Sequence, residues 1–197
     1  HDMLLIFDEV ITGFGRCGAM TGADAFGVVP DIMNVAKQLT NGAIPMGAVI
    51  AKADIYHTFM EQGGPDYMLE FPHGYTYSAH PVACAAGLAA LDILEQEQLP
   101  QRVARMAPYF EEALHQLRGL PHVADIRNFG FAGALQLASY PGEPARRPFE
   151  VAMRMWEKGF YVRYGADTIQ LGLPFVIEHA EIDSLLAALG ESLRELA

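Results

Sequence analysis

Two apolar runs near the start of the chain each end in a charged residue, and this pattern constrains the fold more than any other. Residues 3–7 (MLLIF) precede Asp8, and residues 32–36 (IMNVA) precede Lys37. Short apolar runs without alternation are typical of strands in a parallel sheet that is covered on both faces. In open α/β sheets, ligands bind beyond the carboxyl ends of the strands. The sequence therefore predicts that Asp8 and Lys37 lie at a ligand-binding edge of an α/β sheet.

The composition excludes several classes of function. The hydrophobic share of 51% predicts an ordered core, and the formal net charge of −11 argues against binding to a nucleic-acid backbone. No apolar run reaches the ~18 residues of a membrane span. Cys17 and Cys84 have no metal-ligand spacing and suggest no disulfide framework. We therefore expect no nucleic-acid partner, no membrane association and no metal site, and we expect a cytoplasmic location.

Periodicity and turn residues divide the chain into an α/β part and a following α+β part. Strands are predicted at residues 3–7, 32–36, 46–51, 123–128, 132–137, 160–163 and 168–171. Helices are predicted at residues 23–28, 53–59, 81–97, 101–117, 149–158 and 178–196. As an alternative, part of residues 32–39 could be helical. A break is expected at Leu99-Pro100, a kink or boundary at Pro108, and loops at residues 61–74 and 139–148.

The chain enters its first apolar run at residue 3, with no lead-in that could supply neighbouring strands. We therefore expect these residues to be the C-terminal part of a longer chain.

Asp8 and Lys37 together indicate one kind of chemistry. A lysine at a strand end can form a Schiff base when its surroundings favour the neutral amine. A carboxylate can hold the proton on the ring nitrogen of pyridoxal phosphate. Alone, Asp8 could equally be a helix cap or an ion-pair residue, and Lys37 could be an ordinary solvated lysine; their occurrence at two strand ends favours the functional interpretation of both.

A second interpretation of residues 4–9 (LLIFDE) is the magnesium-binding strand of an ATPase. That interpretation requires a phosphate loop of the form Gly-x-x-x-x-Gly-Lys-Ser/Thr, which this sequence does not contain. It also gives no reason for the position of Lys37.

Three blocks in order resemble the class III pyridoxal-phosphate aminotransferases. They are residues 4–16 (LLIFDEVITGFGR), residues 34–42 (NVAKQLTNG) and residues 75–86 (YTYSAHPVACAA). Residues 161–170 (YVRYGADTIQ) make the chain most similar to the omega-amino acid (beta-alanine) to pyruvate transaminases. The resemblance covers nearly the whole chain, but only about the C-terminal half of a family member.

This resemblance implies an α/β fold, namely the C-terminal part of a fold-type I transferase. Residues 1–98 would be the end of the large cofactor-binding domain, with a partial mixed sheet and a final helix at 81–97. Residues 99–197 would be the small α+β C-terminal domain. The glycine-serine phosphate turn and the aromatic residue that stacks on the cofactor would lie upstream of His1.

The resemblance also implies a role for each matching residue. Lys37 is the Schiff-base lysine and moves the proton, Asp8 pairs with the ring nitrogen, and Val10 packs on a ring face. Thr76 donates its hydroxyl to the cofactor phosphate of the neighbouring subunit, so the protein is a homodimer or a higher homo-oligomer. Arg163 binds the substrate carboxylate through two parallel hydrogen bonds from its planar guanidinium.

Simpler roles remain for several of these residues. Val10 could be ordinary core, Thr76 a helix cap and Arg163 a surface ion pair. Tyr164 and Gln170 of the same stretch could shape the pocket of Arg163.

The implied activity is a ping-pong transfer of an amino group from an omega-amino acid or amine to pyruvate, with pyridoxal 5'-phosphate as cofactor. Three alternatives remain open: a gamma-aminobutyrate-type transaminase, an aminomutase, and a noncatalytic fragment that lacks the N-terminal half of the site.

Overall fold

The structure, a computed structural model, describes residues 3–196 and divides into two compact units. The first unit extends to Gly15 and resumes at Ala19–Gln98, and the second contains Arg16–Gly18 and the residues from Leu99 onward. In the described residues, no helix is long and apolar enough to cross a membrane.

The first unit contains a three-stranded mixed sheet and three helices. Its elements are β1 (Ile6–Asp8), α1 (Gly22–Phe26), β2 (Ile32–Val35), a 3-10 turn (Lys37–Thr40), β3 (Ala48–Ala51), α2 (Ala53–Gln62) and α3 (Pro81–Gln96). Strand β2 lies in the centre, parallel to β1 and antiparallel to β3. Helix α3 packs against the 3-10 turn, and its buried Gly87 lies beside Leu39 of that turn.

The predicted burial of the first strand is wrong within the described residues. Strand β1 covers only Ile6–Asp8, and the side chains before it are exposed, with Leu4 at 60% and Ile6 at 55%. The pattern correctly indicated a strand parallel to β2. Within the described residues, these side chains therefore lack the cover on both faces that the apolar run predicted.

The second unit is a four-stranded antiparallel sheet packed with three helices. Its elements are α4 (Leu99–His115), β4 (Val123–Phe129), β5 (Ala132–Leu137), α5 (Arg146–Glu157), β6 (Arg163–Gly165), β7 (Thr168–Gly172) and α6 (His179–Arg194). The strand order is β4-β5-β7-β6. Helices α4 and α5 contact the sheet, and α6 packs against both helices.

The core of this unit forms where α4 meets β5. Phe110 and Phe131 are fully buried and meet edge to face at 6.2 Å between ring centroids. A Cβ at Gly133 would come within 2.8 Å of Phe110, so glycine is needed there for close packing. This helix-on-sheet layer supports the strands that carry Arg163.

Several predicted boundaries in the second unit are wrong. Leu99 and Pro100 form the first turn of α4, where proline is tolerated, and α4 continues through Pro108. Helix α5 begins within the predicted loop, at Arg146. The strand predicted at residues 160–163 begins only at Arg163, because the Phe160 N–H closes the end of α5 on the Met155 carbonyl at 2.8 Å.

Arg16–Gly18, from the glycine-rich segment after β1, contributes to the second unit. The Arg16 guanidinium donates hydrogen bonds to the carbonyls of Phe131 and Leu173, and it lies over the Phe175 ring at 4.7 Å. Burial lowers the pKa of Arg16 from its ordinary value. Gly130 permits the close backbone approach to this segment, since a Cβ there would lie 2.3 Å from the Arg16 oxygen.

Candidate active site

The sheet of the first unit brings Asp8 and Lys37 to one edge. Asp8 is the last residue of β1 and pairs in parallel register with Asn34, one residue before the end of β2. Lys37 follows β2 after Ala36. Because parallel strands end at the same edge, the two charged side chains start from neighbouring positions there. This confirms the predicted arrangement of the two strand ends.

Lys37 is exposed and opens the 3-10 turn in the left-handed region, at φ 48°. Two buried residues of the same turn, Leu39 and Thr40, anchor it. The Thr40 hydroxyl donates to the Ile44 carbonyl at 2.6 Å, and the Gly42 N–H donates back to the Lys37 carbonyl at 3.2 Å. The lysine backbone is therefore fixed while its side chain remains open to ligands.

Lys37 differs from the other two lysines in its partners. Lys52 pairs with Asp31 at 2.7 Å, and Lys158 pairs with Glu195 at 2.8 Å. Within residues 3–196, the Lys37 ammonium forms no hydrogen bond or ion pair. It is the one lysine of the described chain that is available to a ligand.

The Asp8 carboxylate is also largely available. One of its oxygens accepts the Val10 N–H at 3.1 Å, which closes a short turn directly after β1. This turn holds Val10, half-buried, beside Asp8. The second oxygen of Asp8 has no partner in the described part of the chain.

Thr76 lies in the turn that precedes α3, and its side chain is exposed. It is not the helix cap, because His80 occupies the N-cap position. Its hydroxyl makes no hydrogen bond to any other described residue, and the neighbouring Tyr75 and Tyr77 are strongly exposed. The cap interpretation of Thr76 is therefore wrong.

Arg163 belongs to the second unit. It opens β6 opposite Gln170 of β7, is exposed, and forms no ion pair within the described residues. A cavity of about 380 Å³ adjoins it and is lined by Trp156, Tyr161 and Tyr164, among others. The guanidinium is available to a carboxylate, so the ion-pair interpretation is wrong for the described chain.

These residues fit pyridoxal phosphate by their donor chemistry. The lysine amine, which has no carboxylate partner, can react with an aldehyde. The carboxylate at the same sheet edge can pair with a pyridinium, and the unpartnered hydroxyl can donate to a phosphate. In the described residues, no cluster of three or more His, Cys, Asp or Glu side chains could hold a metal ion.

The family model for class-III aminotransferases matches residues 1–193. The chain belongs to this family. The expectation from the three blocks is thereby confirmed. Pyridoxal phosphate is the cofactor of class-III aminotransferases.

The relatives agree with this assignment. The omega-amino acid–pyruvate aminotransferase of Pseudomonas putida is 61% identical over 196 residues, and the beta-alanine–pyruvate aminotransferase of Pseudomonas aeruginosa is 60% identical over 197. Each comparison covers 100% of this chain but only 44% of the relative. The chain thus spans less than half the length of these two aminotransferases.

A solved structure confirms the predicted fold class. A six-fold mutant of a thermostable omega transaminase from Pseudomonas jessenii matches with a TM-score of 0.93 at 31% identity. It covers 100% of this chain and 44% of that chain. The chain therefore has the fold of the corresponding part of that omega transaminase.

Two charged residues of the quoted blocks, which received no role from the sequence, have defined partners in the structure. Glu9 is buried beside Asp8, and Arg16 bonds to carbonyls of the second unit. The signal for Glu9 was a second carboxylate directly after an apolar strand, followed by Thr12 and Gly22. Sequence alone does not show which of two adjacent acids faces inward.

Proposed function

We propose that this chain carries the Schiff-base lysine and the ring-nitrogen carboxylate of a transaminase that moves an amino group from an omega-amino acid or amine to pyruvate. The observation that carries this proposal is the placement of Lys37, the one lysine without a partner in the described chain, at the same sheet edge as Asp8. The identity of 61% to an omega-amino acid–pyruvate aminotransferase supports the donor and acceptor classes.

Each site residue has a defined task under this proposal. When bound, pyridoxal phosphate supplies an aldehyde and an electron-accepting ring. Lys37 holds the cofactor through Nζ and, once released, accepts and returns a proton at that atom. Asp8 keeps the ring-nitrogen proton in place, and Val10 packs against one ring face.

Thr76 and Arg163 complete the part of the site that this chain contributes. Arg163 binds the substrate carboxylate with two parallel hydrogen bonds, while Tyr164 and Gln170 flank it. Thr76 donates its hydroxyl to the cofactor phosphate of a neighbouring subunit, so the functional protein is a homodimer or a higher homo-oligomer. The exposed, unpartnered hydroxyl of Thr76 between two exposed tyrosines supports this assignment.

The two units correspond, in this proposal, to two domains of the enzyme. Residues 1–98 end the cofactor-binding large domain, and residues 99–197 form the small domain. The boundary of the compact units between Gln98 and Leu99 supports this division, with Arg16–Gly18 as a segment that belongs to the second unit.

We place the protein in the cytoplasm. The sequence has only two cysteines, which suggest no disulfide framework, and disulfides are rare in reducing compartments.

The cofactor assignment is tested by adding pyridoxal phosphate to the full-length protein and to Lys37→Ala. The full-length protein should develop an absorbance band near the visible edge, and Lys37→Ala should not. Lys52→Ala is the matched control, because Lys52 is paired with Asp31 and should leave the band intact. A band that survives the loss of Lys37 would contradict the assignment.

The substrate assignment is tested by donor profiling. With beta-alanine as donor, pyruvate should be a far better acceptor than 2-oxoglutarate. The reverse preference would indicate a gamma-aminobutyrate-type transaminase, and isomerisation without a keto acid would indicate an aminomutase.

A further inference from the structure

Glu9 is a buried carboxylate that the proposed chemistry does not use. It directly follows Asp8 and is 1% exposed. Among residues 3–196 it is the one buried acidic side chain, and no lysine or arginine pairs with it there. A buried carboxylate is costly unless donors satisfy it, so its partners indicate what holds it in place.

Three donors satisfy the Glu9 carboxylate. Oε1 accepts the Ala23 N–H at 2.7 Å, and Oε2 accepts the Gly22 N–H at 2.9 Å. The Thr12 hydroxyl also donates to Oε2. One side chain thus ties the end of β1 to the turn after it and to the first turn of α1.

The backbone of Glu9 is fixed as firmly as its side chain. Its N–H donates to the Asn34 carbonyl of β2 at 2.8 Å, and its carbonyl accepts the Gly13 N–H at 2.9 Å. The surroundings are tight, since a Cβ at Gly22 would lie 3.0 Å from a Glu9 carboxylate oxygen and one at Gly13 would lie 2.8 Å from the Glu9 carbonyl oxygen. Glu9 therefore has little freedom to move.

This anchoring acts on Asp8. Successive side chains of a strand point to opposite faces, so an inward Glu9 directs the neighbouring Asp8 away from the interior. Asp8 is accordingly exposed, and Val10 donates to it across Glu9 at 3.1 Å. We propose that Glu9 is a positioning residue, which fixes the direction of the Asp8 carboxylate toward the cofactor's ring nitrogen. The inference rests on the proposed role of Asp8.

Glu9→Gln tests this role with almost no change of volume. It replaces one acceptor oxygen by an NH₂ group that faces a backbone N–H, which removes one of the hydrogen bonds that hold the Glu9 side chain. If Glu9 acts through Asp8, Glu9→Gln should weaken the affinity of the full-length apoenzyme for pyridoxal phosphate on the order of tenfold. Asp8→Asn should weaken it at least as much, and the double variant should be no more than about twofold weaker than Asp8→Asn alone.

A spectroscopic measurement separates positioning from general destabilisation. With cofactor labelled with ¹⁵N in its ring, Glu9→Gln should shift the ring-nitrogen signal in the same direction as Asp8→Asn. Leu94→Ala is the control: Leu94 is buried in α3 of the same unit, so its loss should lower the melting temperature and leave this signal and the affinity unchanged. If Glu9→Gln does not fold, Thr12→Val removes one donor and should give a smaller shift in the same direction.

The inference would be overturned if the losses of cofactor affinity in Glu9→Gln and Asp8→Asn multiply in the double variant. It would also be overturned if Glu9→Gln leaves the ring-nitrogen signal unmoved. A wild-type protein without a Lys37-dependent cofactor band would overturn the proposed function as well. A normal band combined with an unchanged Glu9→Gln variant would overturn the inference alone.

Discussion

Lys37 combines an available side chain with an unusual backbone. Left-handed conformations of non-glycine residues cost about 1–3 kcal/mol and persist only where the surroundings enforce them. At Lys37 the 3-10 turn enforces φ 48°, through the buried Leu39 and the Thr40 hydrogen bond to Ile44. Such outliers concentrate at functional sites, and this one occurs at the residue that the proposed chemistry requires.

Arg163 gives a prediction at the residue scale. Arg163→Gln should raise KM for pyruvate roughly 10- to 100-fold, because a charge-assisted hydrogen bond to a carboxylate contributes about 1.5–3 kcal/mol. Arg163→Lys should recover only part of this loss, since an ammonium cannot form the two parallel hydrogen bonds of a planar guanidinium. Steady-state kinetics measure the change.

An amine donor without a carboxylate is the control for Arg163. The half-reaction with this donor should proceed at the wild-type rate in both Arg163 variants. Equal losses for donors with and without a carboxylate would contradict the carboxylate role.

Gly130 yields a prediction on stability. It has φ 54°, and a Cβ would lie 2.3 Å from the Arg16 oxygen. Gly142 has φ 77° but nothing within 4 Å of a Cβ. Gly130→Ala should therefore reduce the free energy of unfolding by about 1–3 kcal/mol more than Gly142→Ala, because only the former adds a clash. Urea unfolding of both variants measures the difference, and equal losses would contradict the close contact with Arg16.

Asp31 links the three strands of the first unit at the element scale. Its carboxylate accepts the Leu5 N–H at 2.7 Å, before β1, and pairs with Lys52, after β3, at 2.7 Å. The Leu5 hydrogen bond and then the Lys52 ammonium lower the pKa of Asp31 from its ordinary value. A carboxylate with a lowered folded-state pKa stabilises the protein above the unfolded pKa, and the effect is lost as the pH falls through the folded value.

Asp31→Asn should therefore lower the melting temperature at pH 6–7 (about two units or more above the ordinary pKa), and the deficit should shrink as the pH falls below about 4. Asp66→Asn, at an exposed carboxylate with no partner in the described chain, is the control and should show no such trend. A deficit that is constant from pH 2 to 7 would contradict the electrostatic origin.

The local sequence pattern predicted most helices and strands of this fold. Contacts between residues that are distant in sequence explain the features that it did not predict. The apolar runs correctly predicted β1 and β2, and their parallel pairing placed Asp8 and Lys37 at one edge. The start of α4 was predicted two residues late, at residue 101, because Pro100 occupies the first turn of this helix instead of separating two helices. The role of Glu9 could not be predicted, because its donors Gly22 and Ala23 are distant in sequence and become neighbours only in the fold.

Assembly is the property of the whole molecule on which the proposed site depends. If Thr76 serves the neighbouring subunit, a hybrid dimer of Lys37→Ala and Thr76→Ala subunits contains one site with both residues intact and one with neither. Co-expression of the two variants should therefore restore cofactor binding at limiting pyridoxal phosphate, although each variant alone binds poorly. Cofactor titration of the purified hybrid tests this, and a hybrid no better than its parents would contradict the shared site.

The central claim, that Lys37 holds the cofactor, is tested most directly by reducing the cofactor-loaded full-length protein with borohydride and mapping the modified peptide by mass spectrometry. The chain has only two other lysines, Lys52 and Lys158, and both are ion-paired. We predict that the pyridoxyl group is found on Lys37 and on neither of these. A modification on Lys52 or Lys158, or a protein in which Lys37 stays unmodified, would contradict the account.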